Sequence, residues 1–510
     1  MNSRAIVPLI VVAIVAWFLF SRYQAGKMPL PGLPDPTPIT STTDPNSTDP
    51  NSADPNLTGT SSSDPAVADA SVAGTTILDP SSADSNAQVT SARFDPSFVD
   101  KTDPISSQPT KAMIALQAMR DASPSTRIVL ADEWLKFHPT DALFSIERGN
   151  ALTKILGKPS LELGFSAPLS GPLKQVGEAF LQGTNLAVQE ANQAGGIGGK
   201  RINLTVLNDG GDKAQAIEVA SKLLSGNALG VIGPYSSSTT LASSEIYNQG
   251  LAIIAPAATN PKVSSAGPYI FRVAPSDLEQ GSAMARLVKA RGHKAVAVLF
   301  DENDAYSKGL ADAFSAEGER IGLQVAPITF TLNAYTTALV GNYAVDSIFV
   351  SGYTPDVAAV AKLESLQPRE IFAGDGAYGQ DLIAQGGSTV NGVIVSSFWH
   401  ATLNDPASMG FTKKFQARYG GGTPNANAMQ AYDATRTMLE AIKRSKIASR
   451  VTPIVTARAA IKTALESFRK KPGVGVTAPV KFDANGDVIG RPFVAIQVTN
   501  GKFVAIGLAK

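Results

Sequence analysis

From residue 160 onward, short apolar runs alternate with longer amphipathic stretches. LELGFSA, INLTVLND, ALGVIGP and LAIIAP have the length and near-continuous apolar character of strands buried on both faces, and VGEAFLQGTNLAVQEANQA, KAQAIEVASKLL and STTLASSEIYNQ between them read as helices. After IFRVAPSD the alternation begins again: helical SAMARLVKA, GLADAFSAEGE and PDVAAVAKLES intersperse the strands AVAVLFD, VAPITF, SIFVSG and EIFAGD. This order predicts an α/β fold of two doubly wound parallel-sheet lobes, covered by helices on both faces and joined by crossing strands. Residues 409–469 read as mostly helix, and KFDANGDVIGRPFVAIQVTNGKFVAIG closes the sequence as strands with turns at Asn485-Gly486 and Asn500-Gly501. The two-lobed domain is placed at 159–510, with lobe 1 at about 159–277 and 401–480 and lobe 2 at about 278–400 and 488–510.

The pattern before residue 159 is different. AIVPLIVVAIVAWFLF at residues 5–20 is uncharged, with Arg4 before it and Arg22 and Lys27 after it. It falls a little short of the about 20 residues that cross a bilayer upright. SRYQAGKMPLPG shows no clear cleavage site, so residues 1–27 are read as a transmembrane signal-anchor, with a cleaved signal peptide as the alternative. Basic residues at both ends leave orientation open. Residues 28–107 are Pro, Ser, Thr, Asp and Asn rich, with the imperfect repeat TDPNSTDPNSADPN, and hold too few large apolar residues to order a backbone. As roughly 80 residues of disordered coil they would reach about 50 Å. Residues 108–158 are a short helical segment broken at Pro124 and Pro139. A small hairpin packed on the next domain is expected there; a tetratricopeptide-like docking unit is the alternative, weakened by the lack of repetition.

Composition narrows the function classes. At 510 residues the chain exceeds one ordinary domain. Lys+Arg 44 against Asp+Glu 43 leaves a net charge of +1, which gives no electrostatic reason to expect a nucleic acid partner. Cys is 0, so disulfides, thiol nucleophiles, thiolate metal sites and cysteine-linked lipid are excluded. His138, His293 and His400 are scattered singly, against a His-based metal site or triad, and no cofactor is expected. GGIGGKR lacks the Ser or Thr of a phosphate loop and lies between helix and strand, the wrong order. DANGD at residues 483–487 spaces three oxygens like a calcium loop but lacks the terminal Glu, so it reads as a hairpin turn. No GxSxG or HExxH occurs. With grips but no nucleophile and base pair at the strand ends, an enzyme is disfavoured.

In open α/β sheets ligands meet the carboxyl ends of the strands, here PLSGPLKQVG, GPYSSSTT, PAATNP and AGDG. A helix cap accounts for one hydroxyl of the run from Ser236 to Thr240, and free amides at a helix start also suit a carboxylate. The small side chains of PAATNP let a ligand reach the main chain, so the Ala257 carbonyl can accept from an ammonium while the Thr259 hydroxyl and amide donate to a carboxylate. A plain Asn-Pro turn fits the same letters. Across the cleft Asp375 would complement the ammonium, and Tyr306 and Tyr353 would cover it or serve as ordinary packing.

Nine segments in order, PLSGPLKQVG, QEANQAGGIGGKRI, IGPYSSSTT, IIAPAATNP, FRVAPSD, FDENDAYSKG, VSGYTPD, AGDGAYG and FDANGD, carry a resemblance. Residues 160–510 resemble the type I periplasmic binding proteins of branched-chain amino acid ABC transporters, the leucine/isoleucine/valine-binding family. The resemblance implies that Ser236 holds a ligand carboxylate, that Ala257 and Thr259 hold carboxylate and amino group, that Tyr306 and Tyr353 line the second lobe, and that Asp375 receives the ammonium. Family members usually carry Glu at the last position. Val176 stands where branched-chain binders commonly have an aromatic residue, which puts leucine-type selectivity in doubt. TLNAYTTALVGNYAVDS also looks short for the family. The expectation is a membrane-anchored, extracytoplasmic solute-binding protein that takes an amino acid or amide-type ligand and works with an ABC permease. A ligand-sensing or assembly protein of the same fold is the alternative.

Overall fold

The computed structural model describes residues 116, 119, 121–157, 159–330, 344–364, 369–449 and 452–509. The chain divides into two units, Met1–Thr90 and Ser91–Lys510, and every described residue lies in the second. The anchor at 1–27, the spacer at 28–107 and most of TLNAYTTALVGNYAVDS fall outside the described residues. Among those described, no helix is long and apolar enough to cross a membrane.

Two helices come first, α1 (Pro124–Phe137) and α2 (Ala142–Ile155). One carboxylate organises both. Asp141 Oδ1 caps α2 by accepting from Phe144 N (3.1 Å), and its Oδ2 accepts from Trp134 Nε1 of α1 (3.0 Å). Trp134 stacks on His138 and Phe144. The α2 helix lies against the edge of the first sheet, where the Asn150 side chain donates to Leu204 O (3.1 Å) and accepts from Leu204 N (3.3 Å). A side-chain amide thus completes backbone pairing that an edge strand would otherwise leave open.

The first sheet joins β1 (Ser160–Ala167), β2 (Arg201–Asn208), β3 (Val231–Ile232), β4 (Ile253–Ala255) and β5 (Ile270–Arg272) in the order β2-β1-β3-β4-β5, all parallel. The helices α3 (Lys174–Gln193), α4 (Lys213–Ser225) and α5 (Ser237–Tyr247) make the crossovers. The second sheet repeats that plan. With α6 (Asp277–Ala290), α7 (Ala305–Arg320), α8 (Thr354–Glu364) and α9 (Gln380–Gly386) around it, strands β6 (Ala295–Phe300), β7 (Gln324–Thr329), β8 (Ser347–Ser351), β9 (Glu370–Ala373) and β10 (Ile394–Ser397) run in the order β7-β6-β8-β9-β10. Alternate residues of β6 enter opposite cores: Val296 and Val298 pack with Phe314 and Phe349, Ala297 and Leu299 in the larger cluster on the other face.

The chain then returns to the first lobe as α10 (Pro406–Arg418), α11 (Ala426–Ser445) and α12 (Ile454–Glu466). Helix α11 packs closely on α3 because a Cβ at Gly183 would lie 2.0 Å from Ala428 O. Arg458 of α12 donates to the carbonyls of Leu224, Gly226 and Ala228, in the last turn of α4 and the loop that leaves it. A third crossing, fastened by buried Arg491 on Asp433 (2.8 Å), leads to β11 (Phe493–Thr499) and β12 (Lys502–Ala509). Here the second sheet adds an antiparallel edge to its parallel core, and the turn expected at Asn500-Gly501 is present. β11 pairs antiparallel with β10 and with β12; two residues with positive φ, Asn500 and Gly501, join β11 to β12 in a hairpin too short for a parallel crossover.

Candidate functional site

In a sheet of this order, the loops leaving the strands diverge where the direction of winding reverses, between β1 and β3 in one lobe and between β6 and β8 in the other. Loops from the two lobes meet across that opening. Ser238 Oγ donates to Asp304 Oδ2 (2.7 Å) and accepts from Ala305 N (2.8 Å). Asn260 Nδ2 donates to Ala305 O, and Lys213 Nζ to Asn303 O (2.9 Å). The carboxyl ends of the two sheets therefore face each other.

On the first lobe, Ser236 is the N-cap of α5: its Oγ accepts from Thr239 N (3.2 Å), while Thr239 Oγ1 donates to Ser236 O (3.1 Å). The two hydroxyls also lie 3.0 Å apart, so with the Thr239 proton on Ser236 O the Ser236 hydroxyl donates to Thr239 Oγ1, a bond that a ligand carboxylate would have to replace. The first turn of α5 holds no acidic residue of its own; the carboxylate nearest it is Asp304 of the second lobe, through Ser238. Ala257 and Thr259 follow β4 and are buried, and the Thr259 hydroxyl makes no hydrogen bond of ordinary geometry. Among the described residues the Thr259 N–H and the Ala257 carbonyl enter no backbone hydrogen bond either. This wall offers hydroxyls and amides to an anion and one carbonyl to a cation.

The second lobe has the opposite character. Asp277, Asp304, Asp356, Asp375 and Asp381 stand at the starts of α6, α7, α8, the turn at 375–377 and α9, where they offset the positive helix ends. Asp375 Oδ1 accepts from Gln280 Nε2 (2.8 Å) and Tyr306 OH (3.1 Å). Burial pushes its pKa up to about 6, against the pull of those two bonds. Its side chain is packed round by protein yet keeps some solvent contact, as suits a carboxylate on the wall of a narrow crevice. Asp277 is fully buried, and neither of its oxygens has a hydrogen bond of ordinary geometry. Burial and then Asp375 raise its pKa well above the carboxylate range, with nearby Thr259 and Arg272 opposing.

A chain of rings crosses between the lobes: Phe180 to Tyr235 at 5.2 Å between centroids, Tyr235 to Tyr353 at 6.2 Å, and Tyr353 to Tyr306 at 5.2 Å. Burial, and then Asp375 or Asp304, raise the pKa of all three tyrosines, which stay neutral hydrogen-bonding groups. The residues picked from the sequence are thus distributed with Ser236, Ala257 and Thr259 on one wall and Tyr306, Tyr353 and Asp375 on the other. Val176 is buried in the first turn of α3, one turn before Phe180 on the same face. Sequence reasoning missed Tyr235, Asp304 and Gln280, and read Ser238 only as one hydroxyl of the run at the start of α5. The only local signal for Tyr235 was its place in PYSSSTT. Cavities of about 350 Å³, beside Arg436 and Phe468, and about 230 Å³, beside Ser264 and Arg469, lie away from these walls. Among the described residues no group of three or more His, Asp or Glu side chains is placed to hold a metal ion.

Residues 160–502 match the model of a family described as periplasmic binding protein. The Leu/Ile/Val-binding protein BraC3 of Rhizobium johnstonii is 28% identical over 362 residues, covering 69% of this chain and 95% of its own length. Among solved structures, the leucine binding protein LivK of Thermotoga maritima aligns with a TM-score of 0.62 at 26% identity, over 68% of this chain and 98% of that one. LivJ of Streptococcus pneumoniae, a branched-chain amino acid transporter substrate binding protein solved with isoleucine, aligns with a TM-score of 0.62 at 25% identity, over 68% and 99%.

Proposed function

The chain belongs to the periplasmic binding protein family, and from that premise we propose that it is the solute-binding component of an ABC importer, taking an α-amino acid or an amide-type relative between its lobes. The observation that carries this reading is the polarity of the two walls. The Thr259 N–H, with no backbone acceptor, lies near the start of α5 on one side, and Asp375 lies among helix-start carboxylates on the other. A zwitterion satisfies both at once: carboxylate to Ser236 and Thr259, ammonium to Ala257 O and Asp375, with Tyr306, Tyr353 and the Val176 face around its side chain. The relatives named for leucine, isoleucine and valine support an amino acid ligand. The lobes, about 159–277 with 401–480 and about 278–400 with 488–510, would close on it by rotation about the crossing segments, since only the closed form lets both walls contribute. In this reading residues 1–27 anchor the protein to the outer side of a membrane that carries the permease. Isothermal titration of the full chain with the protein amino acids and leucinamide tests the reading. Binding of at least one α-amino acid is expected, and silence across the panel would refute it.

A further inference from the structure

Arg272 ends β5, the last strand of the first sheet, and is fully buried. A guanidinium carries five N–H donors, and here each has an acceptor. Nε and Nη2 grip the Asp487 carboxylate (2.7 and 2.8 Å), Nη2 also reaches Ser264 Oγ (2.8 Å), and Nη1 donates to the carbonyls of Ala258 (3.2 Å) and Asn260 (2.9 Å). A fork held on both sides suits Arg and no other cation.

The two carbonyls bracket Thr259. In a trans peptide the C=O and the following N–H point to opposite sides, so by taking Ala258 O the guanidinium turns the Thr259 N–H away from itself. The rest of the loop is already tied: Thr259 O accepts from Asp277 N (2.9 Å), and Asn260 N donates to Ser237 Oγ (3.0 Å).

Asp487 comes from the DANGD turn. Asp483 Oδ1 accepts from Asn485 N (2.8 Å) and Asp487 N (3.0 Å), which closes the turn, and Arg272 N to Gly486 O (3.1 Å) with Val488 N to Arg272 O (3.2 Å) lays it along β5. Gly486 has φ +87°, and a Cβ there would meet Ile270 O at 2.7 Å, so only glycine lets the turn come this close. A crossing segment and the loop after β4 are thereby joined through one buried side chain.

We propose that Arg272, held by Asp487, is a positioning residue that sets the Thr259 peptide so that its N–H faces the ligand carboxylate. This role rests on the amino-acid reading of the crevice. Two measurements on the full chain test it, with Asp487→Asn and Arg272→Lys as variants. In the ligand-free protein, hydrogen exchange of the amides at 257–260 rises at least about tenfold while β1 and the second sheet keep their protection. In titrations, the Kd for L-leucine rises about tenfold or more, as for one lost charge-assisted hydrogen bond, while the Kd for L-leucinamide, which has no carboxylate, stays within about twofold. Unchanged loop exchange, or equal weakening of both ligands, overturns the role. If the wild-type chain binds neither ligand, the leucine-like reading of the crevice fails by itself, and the exchange experiment alone then decides the clamp.

Discussion

Asp375→Asn separates the cost of a buried charge from its use. The Asn side chain has the same size, and its oxygen can still accept from Gln280 and Tyr306, so the wall around it keeps its hydrogen bonds. What disappears is the charge that would face an ammonium. Removing one partner of a buried charged pair costs about 2 to 5 kcal/mol, so Kd rises from about thirtyfold to several thousandfold. Stability moves the other way. Burial raises the Asp375 pKa from 3.8 to about 6, which opposes ionisation in the folded ligand-free protein by up to about 3 kcal/mol. Because the folded pKa is the higher one, the protein is relieved of this opposition below about pH 4 and bears it fully above about pH 6. The wild-type chain therefore gains stability from this group on acidification from pH 7 to 4, and the Asn variant already has that gain at pH 7. Binding follows the same titration in reverse: below about pH 6 the wild-type Kd rises by up to about tenfold per pH unit, and the variant is flat there. Calorimetric titration from pH 5 to 8, with thermal unfolding of the ligand-free protein, reads both effects. A variant that binds as tightly as wild type, with the same pH slope, would refute the assignment of Asp375.

Thr259→Val deletes a fully buried hydroxyl that lies beside Asp277, and amino acid affinity should fall about five- to thirtyfold. Unaltered affinity would remove the hydroxyl from the site. Ser238→Ala breaks both bonds to the start of α7; small-angle scattering of the ligand-free chain should report a more open population, and Kd should weaken by about 1 to 2 kcal/mol. Asn150→Leu leaves Leu204 N and O unpaired under α2, which should lower stability to urea by about 1 to 3 kcal/mol with no change in ligand affinity. A change in affinity there would connect the hairpin to the crevice.

How much of this was legible follows from which partners a residue needs. Parallel strands buried on both faces are written as unbroken apolar runs, so LELGFSA and LAIIA announce themselves, and topology alone then puts PAATNP and AGDG at ligand-facing ends. A carboxylate at a helix start, by contrast, reads locally as a cap. Asp304 does cap α7 through Ser307 N (2.8 Å), and nothing nearby in sequence says that it also meets Ser238. Tyr235 needs Tyr353, and Arg272 needs Asp487; pairs so far apart in the chain leave no periodic trace. The acidic wall itself is visible only when the starts of α6, α7, α8 and α9 converge. Convergence also gives the hinge its selectivity. A helix start without an acidic residue of its own on one lobe and carboxylate-bearing helix starts on the other mean that a solute with a single charge satisfies one wall and leaves the opposite one desolvated without return, so it favours closure little. A zwitterion with its charges spaced to bridge the walls gains from both only when the lobes meet, and that difference between open and closed is what a ligand must supply to shift the equilibrium.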